Sequence, residues 1–233
     1  MPDRQAVEQL RQANQGVSNL MADSFAGLWG SLDLSRPEAA RDALLEGLPY
    51  LTDQYGDIAA LGAASWYDEQ RALAGLPGAS RAVMAPAVSH DAVQGAVRYA
   101  AGHLFTDQPT GTFDYLRIAA DKYALQPGRN TIAFSSAADG VAWARVPRGE
   151  KTCAFCLAMA SRGFVYHSEA SAGGDGEGYH GDCHCVPTPE FDRHGIEGYD
   201  PDALRVQYLD AEHQGSGGLS STLSALRQQQ GIS

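Results

Sequence analysis

Nowhere in the 233 residues does an apolar run approach the roughly eighteen residues that a membrane-spanning helix needs, so membrane proteins of that kind are set aside. Basic residues are scarce. Seventeen Lys and Arg stand against 28 Asp and Glu, for a net charge of −11, and both the first 150 residues and the remainder are negative. A nucleic-acid binder normally presents a basic face, which disfavours that class while leaving room for a local patch. The opening residues, Met1 to Gln5, are polar and charged and lack the apolar stretch of a secretory signal, so a reducing compartment is expected. Repeats of solenoid length are absent, and so is any G-x-S-x-G turn that would mark a serine nucleophile. The glycine-rich segment Ser171 to Gly178 has no P-loop lysine, and its acidic residues would repel a phosphate. It reads as a mobile loop rather than a nucleotide site.

Cysteine is the most informative scarcity. The chain has four, and all lie between Cys153 and Cys185. They form a C-x2-C at Cys153 and Cys156, then His180-Gly181-Asp182-Cys183-His184-Cys185, an H-x2-C-x-C. Two short knuckles of this kind each present two ligands, and the intervening segment folds back to bring the pairs together. That is the ligand chemistry and spacing of a structural zinc site. The candidate metal ligands are Cys153, Cys156, His180, Cys183 and Cys185, from which four are needed. His184 is left out because its neighbours on both sides are better placed. Two disulfides, or a redox dithiol at Cys153 and Cys156, are the competing readings. Thiolate-rich, fully protein-ligated sites are structural, whereas catalytic ones keep a position for water, so no catalytic residue and no small-molecule substrate is assigned. His167-Ser168-Glu169 is an H-x-E, as in zinc deaminases, but the C-x-x-C precedes it and Thr152 stands where those enzymes have proline. These residues are read as part of a loop.

With 44% hydrophobic and 19% charged residues the chain is globular. The expected fold is mainly α with a small α+β zinc-binding module. It divides into a helical domain at 1–128, a Cys/His module at 129–200, and a helical tail with a Gly/Ser linker at 201–233. The first helix spans the opening thirty residues, with Val7, Leu10, Asn14, Val17 and Leu20 to Met21 on its apolar face. The second starts at Ser35, with Glu38 completing a capping box. Leu44, Leu48, Leu51, Tyr55 and Ile58 share its face, and Pro49 is expected to kink or split it. The third covers about 86–104 and the fourth about 112–125, stopped by Pro127-Gly128. His90 and His103 are read as packed or surface residues rather than ligands. Ile132 to Phe134, Val141 to Val146 and Phe164 to Tyr166 read as short strands, 156–161 as a short helix ended by Gly163, and Val186 to Pro189 as extended chain. A helix over 202–211, the linker at 214–218 and a terminal helix at 219–230, suited to docking a partner, complete the chain.

The run Ala144-Arg145-Val146 … Thr152-Cys153-Ala154-Phe155-Cys156 … Arg162-Gly163 … Tyr166 … Tyr179-His180-Gly181-Asp182-Cys183-His184-Cys185-Val186-Pro187 resembles the Mu protein F-like minor head proteins of tailed bacteriophages, in particular the branch from phages of actinobacteria. The matched positions are Thr152, Cys153, Cys156, His180, Cys183 and Cys185, of which Cys156, His180 and Cys183 carry over most firmly. The resemblance covers about forty-five residues. It implies a low-copy, portal-associated component of the procapsid that acts in head assembly or genome delivery. Its partners would be the portal and the capsid or scaffold proteins, and in the virion head interior it would also meet packaged DNA. During assembly it would lie in the host cytoplasm. Related phage proteins include capsid maturation proteases, which makes a protease the alternative.

Overall fold

A computed structural model describes residues 2–78, 81–147, 152–167, 179, 183, 185–192 and 195–232. Helix α1 (Arg4–Gly30) starts where the Asp3 carboxylate accepts the Ala6 N–H at 2.7 Å. It buries Val7, Leu10, Val17, Met21 and Phe25, the expected stripe, although Leu20 faces outward. Helix α2 (Pro37–Leu73) is one continuous element with Pro49 inside it, not two. Its start also differs from expectation. Ser35 gives its hydroxyl to the Asp33 carboxylate at 2.6 Å instead of capping, and the N-cap is Arg36, with no side-chain bond. Ile58, read as part of that face, is exposed.

Residues 81–89, before the third helix, have no regular structure, where a helix was expected from about 86. Ser135 and Thr131 accept the backbone N–H groups of Val83 and Ala85 at 2.9 and 3.0 Å, and Asp68 accepts that of Ala82 at 2.8 Å. Donors held this way are withdrawn from a helix, so α3 (His90–Ala100) begins only where Ser89 caps it. A 3₁₀ turn at Ala101–Phe105 follows, and the Thr112 hydroxyl binds the Ala100 carbonyl at 2.9 Å. His90 is exposed and binds Asp53 at 2.6 Å.

Helix α4 (Thr110–Asp139) runs through Pro127-Gly128, the pair read as its stop, and includes Ile132 to Phe134, read as a strand. Packing against α2 explains this. Pro127 lies over Gly56, where an added Cβ would sit 3.0 Å from the proline ring, and a Cβ on Gly128 would lie 2.8 Å from the Ala59 carbonyl oxygen. The two helices approach more closely than side chains permit, and contact along the crossing outweighs the one hydrogen bond that proline removes. The expected outcome for Gly128→Ala is therefore a loss of about 1–3 kcal/mol, because backbone cannot yield as a side-chain tip would. Gly62→Ala, in open space on α2, should gain about 0.5–1 kcal/mol from helix propensity. Urea titration of both variants checks the opposed signs, and equal gains would remove the crossing argument.

Two apolar clusters fill the body. Val17, Phe25, Leu44, Leu48, Val97 and Leu116 anchor the first, among α1 to α4. The second joins Val7 and Leu10 of α1, Trp66 and Tyr67 of α2 and Ile132 of α4 to the strands. Strand β1 (Trp143–Val146) pairs antiparallel with β2 (Val186–Pro189), Arg145 opposite Pro187 and Val146 opposite Val186. Glu190 gives its N–H to the Ala142 carbonyl at 2.8 Å, so along β2 the even-numbered N–H groups face β1. Pro187 and Pro189 therefore occupy the outer edge, which has no donor for a further strand. On the other side of β1, Tyr166 contributes a single bridge to Trp143, less than the strand expected at 164–166.

Between the strands lies helix α5 (Ala154–Ala160), and Gly163 past its end has φ +69°, as a C-terminal stop requires. Helices α6 (Pro201–Gln214) and α7 (Leu219–Gln230) pack on α5 through Ala154, Ala158, Ala211 and Leu226. The terminal helix thus docks on its own chain. The glycine-rich segment 171–178 lies outside the described residues. Among those described, no helix is long and apolar enough to cross a membrane.

Candidate metal centre

Thr152 and Cys153 enter α5 as extended chain. Cys153 is the N-cap, and its Sγ accepts the Cys156 N–H at 3.3 Å. A C-x2-C at a helix start places the second cysteine one turn in, on the side of α5 shared with Ala160 and away from Ala154 and Ala158, which meet α6 and α7. Opposite, Cys183 and Cys185 precede β2. Both are buried. The Sγ atoms of Cys156, Cys183 and Cys185 all lie within 4.8 Å of one another, with Cys156 and Cys183 at 3.3 Å. None of the four cysteines is disulfide-bonded.

This donor set fits a tetrahedral thiolate-bound ion. Zinc–sulfur bonds of about 2.3 Å set ligand sulfurs about 3.8 Å apart, within the range the three thiols already occupy. Such an ion would join the start of α5 to the entry of β2, and its role would be to hold the two segments together. Cys153 borders the cluster and is half-buried. His180, the other candidate for the fourth position, lies outside the described residues. So do His184, Ser168 and Glu169, and His167 is exposed.

Three residues that the ligand spacing did not single out complete the surroundings. Arg145 on β1 is fully buried, with its guanidinium 3.8 Å from the Tyr179 ring centroid and its Nη2 3.8 Å from Cys183 Sγ. Arg129 on α4 lies 4.4 Å from the same ring and donates from Nη2 to the Cys183 carbonyl at 2.6 Å. Hydrogen bonds from the Cys156 and Cys185 thiols hold Cys183 well below the usual thiol range, and the charges of Arg129 and Arg145 act in the same direction. Cys156 is raised, because its hydrogen bonds to Cys153, Cys183 and Cys185 and its burial all favour the protonated form. Burial likewise raises the Tyr179 phenol. No sequence spacing would have found the arginines. They are separated by sixteen residues, and only the packing of α4 against the β1–β2 sheet brings them to one ring.

The family model described as VG15 protein matches residues 1–211. The match spans most of the chain, which therefore belongs to this family of phage gene products. No curated protein and no solved structure matches the chain.

Proposed function

We propose that this member of the VG15 family is a minor head protein of a tailed phage, associated with the portal and acting in procapsid assembly or genome delivery, with a structural zinc ion in its cysteine centre. The observation that carries the reading is the convergence of Cys156, Cys183 and Cys185 from a motif that resembles minor head proteins, in a chain of phage family. The charge agrees with a protein-binding role inside the head. At −11 the chain would be repelled by packaged DNA over most of its surface, so its firm contacts would be with the portal and with capsid or scaffold proteins. Zinc would fix the geometry of the segment between α5 and β2, which has few apolar residues of its own. A maturation protease would need a nucleophile and a base in contact. No observation on the described residues favours that alternative.

The test is assembly. Heads produced from the phage head genes with a tagged copy of this chain should contain it at low copy, and heads made without the portal gene should not. Capsid protein should be processed equally in the presence and absence of the chain. Purified heads devoid of the chain would sink the reading, and processing that stops without the chain would point to the protease.

A further inference from the structure

We propose that Arg129 and Arg145 are built-in counter-cations of a thiolate-bound metal ion at Cys156, Cys183 and Cys185, positioning the Cys183 ligand and balancing the charge of the centre inside the protein. This rests on the metal reading above. Arg129 is 3% exposed. One of its nitrogens serves the Cys183 carbonyl, and its Nε and Nη1 are buried with no hydrogen-bond partner among the described residues. A guanidinium in that position is strongly disfavoured unless an anion lies close. Arg129 shares a small cavity with Cys183 and Cys185, and the Arg145 guanidinium reaches the Cys183 sulfur itself.

A thiolate-bound metal centre meets this demand. A divalent ion with three thiolates carries one negative charge, and with four it carries two. Buried on its own, such an anion would be as poorly placed as the Arg129 guanidinium is without it. The planar guanidinium also explains the residue type. It lies against the Tyr179 ring while offering N–H groups toward sulfur and carbonyl, which a lysine ammonium does not match. Tyr179 is thereby the spacer that holds both cations at the centre. Outer partners of metal ligands tune affinity in this way, and their loss typically weakens binding by about 10–100-fold.

The experiment compares the full-length native chain with Arg129→Gln and Arg129→Lys. Zinc affinity is measured by competition with a chromophoric chelator, and melting temperature is measured with and without zinc. Arg129→Gln should bind zinc about 10–100-fold more weakly, and Arg129→Lys should recover part of the loss. Without metal, Arg129→Gln should melt at or above the native temperature, because it removes a buried guanidinium whose Nε and Nη1 have no hydrogen-bond partner among the described residues. Only the zinc-loaded form should be less stable than native. Equal destabilisation with and without zinc, failure to fold in both states, or unchanged zinc affinity would each make Arg129 a packing residue and overturn the proposal while the metal reading stood. A native chain that takes up no zinc would remove the metal reading itself, and this proposal with it.

Discussion

Cys156→Ser should abolish zinc binding and open the segment between β1 and β2, while the helices that precede it keep their secondary structure. Serine nearly preserves the volume, so the change tests ligation rather than packing. Cys156 is 2% exposed and its sulfur is common to both limbs of the proposed site, 3.3 Å from Cys183 and within 4.8 Å of Cys185. A structural zinc ion binds with an apparent free energy of about 10–16 kcal/mol near neutral pH, which exceeds what a short segment with few apolar residues gains by burial. The first apolar cluster, by contrast, draws on α1 to α4 and includes none of these cysteines. The expected result is little change in helical circular dichroism, loss of zinc, and new proteolytic cleavage confined to residues 147–185. Chelation of the native chain should reproduce the pattern. So should acid, since the ligands must be deprotonated: zinc stays bound near neutral pH and is released as pH falls. Cys153→Ser and His180→Ala, compared by zinc content, identify the fourth ligand. Identical cleavage with and without chelator would defeat the structural-zinc reading.

The meeting of the cysteines was legible in the sequence because metal-ligand spacing is a local property. Two knuckles can be recognised without knowing the path of the chain between them, and the cysteines at 156, 183 and 185 do converge. The general architecture was legible for a related reason. Apolar periodicity is written every three or four residues, and Val7, Leu10, Val17, Leu44, Leu48 and Leu116 are buried as that period requires. Helix ends were less legible, because proline and glycine signals can be overridden by what lies opposite. Pro127-Gly128 is a stop in isolation, but against Gly56 and the Ala59 carbonyl it is the closest point of a helix crossing. The same limit hid the arginines around Tyr179. Nothing adjacent in sequence distinguishes Arg129 or Arg145 from a surface cation, and their burial is set by elements that meet only in three dimensions.

Asp139→Ala should destabilise the protein by about 3–5 kcal/mol, the loss seen when one partner of a buried ion pair is removed. Asp139 ends α4, and its Oδ2 accepts from Arg71 Nε at 2.9 Å and from the Tyr67 hydroxyl at 2.9 Å. The side chains of Arg71 and Asp139 are only 9% and 8% exposed, so water does not replace the lost acceptor. Arg71 also donates to the carbonyls of Pro77 and Gly78 at 2.7 and 3.1 Å, which ties the chain after α2 to the end of α4. One opposing effect exists. A carboxylate at a helix C-terminus is disfavoured by the helix dipole, and removing it returns about 0.3–1 kcal/mol, too little to change the sign. For a chain of this size the net loss should lower the melting temperature by roughly 10 °C. The double variant Arg71→Met/Asp139→Ala should regain part of the loss, because methionine fills much of the space without leaving a stranded charge. Zinc content should be unchanged in both, since neither residue is part of the cysteine cluster. Thermal denaturation of the single and double variants decides the matter. A loss below about 1 kcal/mol for Asp139→Ala would place the pair with exposed salt bridges and remove its role in joining α2 to α4.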